Sequence, residues 1–170
     1  MGKIEELGRK RQQSHGKQGT HRLYKDPNAE NIVGVAGEIA FAEQFGFTID
    51  EDDLWQRPWG DGGVDFELAN GLTIDVKCAR KPVFLLVKET DIQQVADVLV
   101  LGRFIDVDTI KWVGWTLGDM MKHAVMKDFG YGIRSYALPA EDLTSMDRLK
   151  LFLEKNGHYD SALDLGDIWL

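Results

Sequence analysis

The sequence contains very little cysteine and has no long apolar run. Its single cysteine, Cys78, excludes the intrachain disulfide framework that is typical of small secreted domains. No stretch approaches the roughly 20 apolar residues that a membrane-spanning helix needs. The first residues are charged and lack the apolar core of a secretory signal. We therefore expect a cytoplasmic protein with no membrane partner.

Several motifs of common enzyme classes are also missing. The chain has no phosphate-binding glycine loop of the P-loop or dinucleotide type, and no nucleophile-elbow serine. Its four histidines show no metal-ligand spacing and no partner pair of cysteines. The sequence therefore argues against nucleotide-binding folds of these kinds, zinc fingers and nucleases that bind metal through histidine.

Positive charge is scarce as well, with a net charge of −8 and an isoelectric point of about 5.0. A protein with this net charge repels a polyanion over most of its surface. Residues 1–25, however, hold seven Lys or Arg against two Glu, a net +5 that leaves −13 for the remainder. The asymmetry predicts a basic N-terminal arm, residues 1–26, on a single acidic domain, residues 27–170. A solvated terminus without a binding role is the alternative.

Hydrophobic periodicity predicts a mixed α/β protein, with helices packed on the faces of a mixed sheet. A short helix fits residues 3–13, and a longer one fits residues 27–45, with Pro27 at its first position and Gly46 as its stop. The Asn70-Gly71 pair predicts a hairpin turn between two alternating strands. The predicted strands are 64–68, 72–78, 83–88, 97–104, 110–116 and 134–138, the first three forming a meander, and the later helices are 118–128 and 145–156.

The hairpin carries the polar residues of most interest. Alternate side chains of a strand share a face, so Asp75 and Lys77 project together while Val76 and Cys78 point into the core. A two-residue turn would place Asp65 opposite Val76, on the wrong face for these two side chains. We therefore expect a one-residue bulge or a longer loop that brings Asp65 to the same place.

Glu38 is a further candidate, because its helical neighbours are apolar or small. A carboxylate in such surroundings is expected to be partly buried, and a buried charge requires a partner or a metal. Gly34 and Gly37 cost helix stability but would allow the helix to approach a sheet closely. Carboxylates and a lysine in one place suit Mg²⁺, with Mn²⁺ as a substitute, better than zinc. Such a metal can polarise a phosphodiester.

Helix-borne Glu38, followed by Gly63-Val64-Asp65-Phe66 and then Ile74-Asp75-Val76-Lys77, resembles the PD-(D/E)XK nuclease superfamily. The resemblance covers about residues 30–116. It implies a restriction-endonuclease-like αβββαβ core, here with an N-terminal extension and a C-terminal helix. It departs from the pattern at Val64, which stands in place of the proline, and in the short segment before Asp97, where the crossover helix would be reduced.

The resemblance also implies roles for individual residues. Asp65 and Asp75 would be metal ligands, with the Val76 carbonyl as a further ligand. Glu38 would assist a metal directly or through water, and Lys77 would position the attacking water. The implied activity is Mg²⁺-dependent hydrolysis of DNA, as an endonuclease, in the host cytoplasm if the protein is encoded by a phage. A homodimer would suit paired cuts on two strands.

Contacts with the nucleic acid are expected from cations outside the catalytic cluster. Trp55 and Trp59, in the loop that contains Arg57, favour a role in covering the core. Arg80 fits a phosphate contact and plain solubility about equally. The competing hypothesis is an inactive protein of the same fold that serves as a binding or assembly module. The candidate contact residues are Arg9, Lys10, Arg11, Arg22, Arg57 and Arg80.

Overall fold

The computed structural model describes residues 27–49, 63–130 and 132–158. Its first element is α1 (Pro27–Phe45), which starts and stops where the sequence predicts. The backbone of Gly46 has a φ of 71°, the left-handed conformation that commonly ends a helix. The predicted basic arm, the predicted helix 3–13 and Arg57 lie outside the described residues.

In the described chain, α1 is followed by seven strands and two further helices, α2 (Gly118–Met121) and α3 (Met146–Lys155). Six of the strands fall close to predicted segments, although β1 is shorter than expected and lacks Val64, Asp65 and Leu68. The strands are β1 (Phe66–Glu67), β2 (Thr73–Ala79), β3 (Phe84–Lys88), β4 (Val98–Asp106), β5 (Thr109–Leu117), β6 (Val125–Asp128) and β7 (Arg134–Pro139).

Two sheets form, where the sequence predicted one. The first has the order β1-β2-β4-β5, and the second has the order β3-β7-β6. The predicted three-strand meander is wrong, because β3 leaves the first sheet and pairs antiparallel with β7. Strand β2 instead pairs with β4 in parallel. The connection between them carries β3 and a single turn of 3₁₀ helix, Ile92–Gln94, in place of a long crossover helix.

The predicted helix 118–128 is also wrong over most of its length. Helix α2 ends at Met121, and β6 then pairs antiparallel with β7. The apolar residues around Val125 and Met126 fit a helical period as well as a strand, so the local pattern did not distinguish the two. Pairing with β7, a tertiary interaction, decides the outcome for this segment.

The first sheet is covered on both faces. Helices α1 and α3 pack on one face, where Phe41, Val76, Val100 and Leu149 belong to one apolar cluster. The second sheet packs towards the other face, where Leu99 and Leu101 of β4 join Leu85 and Val87 of β3. The fold is thus mixed α/β, and β2 lies between α1 and the second sheet. None of the helices in the described residues is both long and apolar enough to cross a membrane.

Candidate functional site

The hairpin between β1 and β2 has the irregularity that the sequence requires. Phe66 pairs with Ile74 and Glu67 with Thr73, and the Leu68 amide donates to the Leu72 carbonyl at 2.8 Å. The loop therefore spans residues 69–71, with Gly71 at a φ of 85°. This is the common hairpin in which a turn is followed by a left-handed glycine. The longer loop moves the register by one residue, so the position before Phe66, which is Asp65, lies opposite Asp75.

Asp65 sits just before β1 and completes the edge of β2 with its side chain. Its backbone amide donates to the Ile74 carbonyl at 2.8 Å. Its carboxylate Oδ2 accepts a hydrogen bond from the Val76 amide at 2.6 Å. A charge-assisted bond of this length is among the stronger ones in proteins. The side chain is thereby held beside the stretch of β2 that contains Asp75.

Asp75 and Lys77 form an ion pair on one face of β2. The Lys77 ammonium lies 2.8 Å from Oδ1 of Asp75 and 2.6 Å from Oδ2. The Asp75 side chain is only 7% exposed, whereas that of Lys77 is 42% exposed. A β-carbon built on Gly63 would lie 3.5 Å from Asp75 Oδ2, in ordinary van der Waals contact with the carboxylate. The lysine therefore connects a buried carboxylate to the protein surface.

Glu38 is buried on α1, as the sequence predicts. Its neighbour Gly37 lies against β2, where a β-carbon would overlap the sulfur of Cys78 and come within 3.8 Å of Val76. The predicted close approach of helix and sheet is thus confirmed at Gly37. Burial raises the pKa of Cys78 to about 12, with the Glu38 carboxylate adding to the effect and Asp65 contributing less. Glu38 therefore lies near the face of β2 that carries Cys78, whereas Asp75 and Lys77 alternate to the other face.

Arg80 is exposed at the end of β2, and its guanidinium lies 4.7 Å from the centre of the Phe104 ring. Phe104 packs with Val33 and Ala36 of α1. The cation therefore extends towards the helix-covered side of the sheet. The other predicted contact residues, Arg9, Lys10, Arg11, Arg22 and Arg57, lie outside the described residues.

The sequence analysis missed a polar clamp at the start of β2. Asp97 Oδ2 accepts hydrogen bonds from the Thr73 amide at 2.8 Å and from its hydroxyl at 2.9 Å. The Thr73 hydroxyl oxygen accepts in turn from the Asp97 amide at 3.0 Å. In the sequence, the only local sign of this clamp is an aspartate directly before the apolar run of β4. The clamp fixes β2 against β4 and so supports the position of Asp75.

The candidate metal ligands at β2 are carboxylate and carbonyl oxygen atoms, the kind of ligand that Mg²⁺ and Mn²⁺ prefer. Within the part of the chain that the structure describes, no three or more His, Cys, Asp or Glu side chains form a group suited to a metal ion. Mg²⁺ is usually held by one or two carboxylates, with water and substrate phosphates completing its shell. Asp65 and Asp75, with the Val76 carbonyl, are the donors that fit this pattern.

The chain matches no protein-family model, and comparisons with curated proteins and with solved structures gave no significant match. The resemblance to PD-(D/E)XK nucleases therefore depends on the residues quoted above, and it stays a prediction.

Proposed function

We propose that the chain is a metal-dependent nuclease that hydrolyses DNA phosphodiester bonds, with Asp65, Asp75 and Lys77 at its centre and Glu38 in support. The observation that carries the proposal is the buried Asp75 carboxylate, joined to the half-exposed Lys77 ammonium beside Asp65. Burying a carboxylate is costly. Solubility alone does not explain a buried carboxylate paired with a lysine on a strand face, whereas a role in phosphodiester hydrolysis would explain it.

The three central residues each have a task that follows from their position. The Lys77 ammonium, partly exposed, can hold a water molecule or a phosphate oxygen and stabilise charge that develops there. Asp75 orients that ammonium through both of its oxygens. Asp65 is held next to it by the Val76 amide. A bound Mg²⁺ would lie on the Asp65 and Asp75 carboxylates and supply charge neutralisation at the phosphate.

The proposal is tested by cleavage of linear duplex, single-stranded, circular and four-way-junction DNA in Mg²⁺, Mn²⁺ or EDTA. The key variant is Asp75→Asn, which keeps the side-chain shape and removes the charge. Glu67→Gln is the matched control, because Glu67 is an exposed carboxylate on the neighbouring strand. Metal-dependent products that vanish in Asp75→Asn and persist in Glu67→Gln support the nuclease. Cleavage retained by Asp75→Asn overturns it.

A second candidate is a binding or assembly module that keeps the fold without the chemistry. It is favoured by the absence, among the described residues, of a ready group of three or more metal-binding side chains. The Asp75–Lys77 pair would then be structural, with the ammonium compensating the charge of a buried carboxylate. Calorimetric titration with Mn²⁺ separates the two: heat of binding that Asp65→Asn abolishes supports the enzyme, and no heat with the wild type supports the module.

A further inference from the structure

A group of cationic side chains lies beyond the Asp75–Lys77 pair, near the C-terminal end of β2. Lys81, Arg103 and Lys111 line an open groove of about 460 Å³, together with Pro82, Val83 and Val113. No Asp or Glu is among the groove's lining residues. In a chain with a net charge of −8, three cations without an acid in one groove is a marked local concentration of positive charge.

The strand register places this groove on the same face of the sheet as Lys77. Ala79, two residues beyond Lys77, is paired with Arg103, and Arg103 is paired with Lys111. Paired residues of neighbouring strands share a face, and so do residues two apart on one strand. Neighbouring strands lie about 4.8 Å apart, and two residues of a strand span roughly 6.6 Å. A track of cations therefore runs from Lys77 across β4 to β5.

These side chains are available to an incoming ligand. Within the described ranges, Lys81, Arg103 and Lys111 form no ion pair with a carboxylate, unlike Lys77, Lys122 and Arg134. All three residues are exposed. Unpaired, exposed cations on one face are the arrangement that neutralises the phosphates of a nucleic acid.

We propose that the groove of Lys81, Arg103 and Lys111 binds the sugar-phosphate backbone of DNA and leads it to Lys77. The proposal rests on the nuclease function proposed above and names the surface that receives its substrate. It would also allow an acidic protein to bind DNA, because the groove offers a polyanion a positively charged approach on a surface that is otherwise acidic.

The test is fluorescence anisotropy of labelled DNA, single-stranded or duplex, with the full chain in EDTA at several salt concentrations. The groove variant is Arg103→Gln with Lys111→Gln. The control is Lys88→Gln with Arg148→Gln, which removes the same charge at two exposed positions outside the groove. Circular dichroism and thermal midpoints establish that both variants are folded.

The groove variant is expected to bind DNA more weakly than the control at every salt concentration. Its plot of log affinity against log salt should be less steep by about 1.8 for duplex, since each phosphate contact contributes roughly 0.9. Equal affinities and slopes for the two variants would overturn the groove. So would a folded wild type that binds no DNA.

This outcome is separable from the fate of the nuclease proposal. DNA that binds through the groove without ever being cut would support the groove and remove the nuclease. Cutting that proceeds equally in the groove variant and the control would retain the nuclease and remove the groove.

Discussion

The carboxylate of Asp65 accepts a hydrogen bond from the backbone amide of Val76 at 2.6 Å. At this edge of β2, a side-chain oxygen therefore takes the place of the backbone carbonyl that a longer β1 would supply. The bond ties the first candidate ligand to the backbone that carries Asp75. It gives Asp65 a structural role as well as its proposed catalytic role, and the two can be separated by substitution.

Asp65→Asn keeps an oxygen acceptor for the Val76 amide, whereas Asp65→Ala removes it. We expect Asp65→Ala to lower the free energy of unfolding by about 1.5–3 kcal/mol, the range for a hydrogen bond to a charged group. Asp65→Asn should lose clearly less stability, yet both variants should lose DNA cleavage. Urea denaturation and the cleavage assay measure the two effects. Equal stability of the two variants would contradict the bond's role.

The Asp75–Lys77 pair predicts an energetic coupling that a double-mutant cycle can measure. Lys77→Met leaves a buried carboxylate without its cation and is expected to destabilise the protein. Adding Asp75→Leu to Lys77→Met should recover part of that loss, because the buried negative charge is then removed as well. Since Lys77 is 42% exposed, the expected coupling energy is modest, about 1 kcal/mol. Additive single effects in urea denaturation would show that the pair is not coupled.

Local alternation was sufficient to predict β2, β4 and β5, and to place Asp75 and Lys77 on one face. It also revealed that a two-residue turn would misplace Asp65, and the structure provides the longer loop. The prediction worked because a strand has a strict period of two, so an error of one residue has a visible consequence.

The partner of β3 could not be predicted in this way. Strand β7 begins 46 residues after the end of β3, and nothing in either segment distinguishes a strand of the first sheet from one of the second. The groove cations were missed for the same reason. Lys81 is distant in sequence from Arg103 and Lys111, and only the parallel pairing of β2 with β4 brings the end of β2 to them.

Contact between α1 and β2 through Gly37 predicts a packing conflict when a methyl group is added. Gly37→Ala should gain about 1 kcal/mol of helix propensity. The new β-carbon would overlap the Cys78 sulfur and lie 3.0 Å from its β-carbon, and overpacking costs about 1–3 kcal/mol. We expect no gain or a net loss in the free energy of unfolding. Cys78→Ala in the same chain should relieve part of the conflict, and a double variant as unstable as the sum of the two single ones would argue against the contact.

The partly buried thiol of Cys78 predicts a pH dependence of stability at alkaline pH. Burial raises its pKa to about 12, so the folded state holds the thiol proton more tightly than the unfolded chain. Its contribution to stability is therefore complete below the ordinary thiol pKa, roughly 8.5, and is lost as the pH rises towards 12. Urea denaturation of the wild type and Cys78→Ala at about pH 7.5 and about pH 10 measures this term. We expect the wild type to lose more free energy of unfolding between the two pH values than the variant loses. Because lysines and tyrosines titrate alike in both proteins, the same loss in both would mean that the thiol of the folded protein is not held in its protonated form.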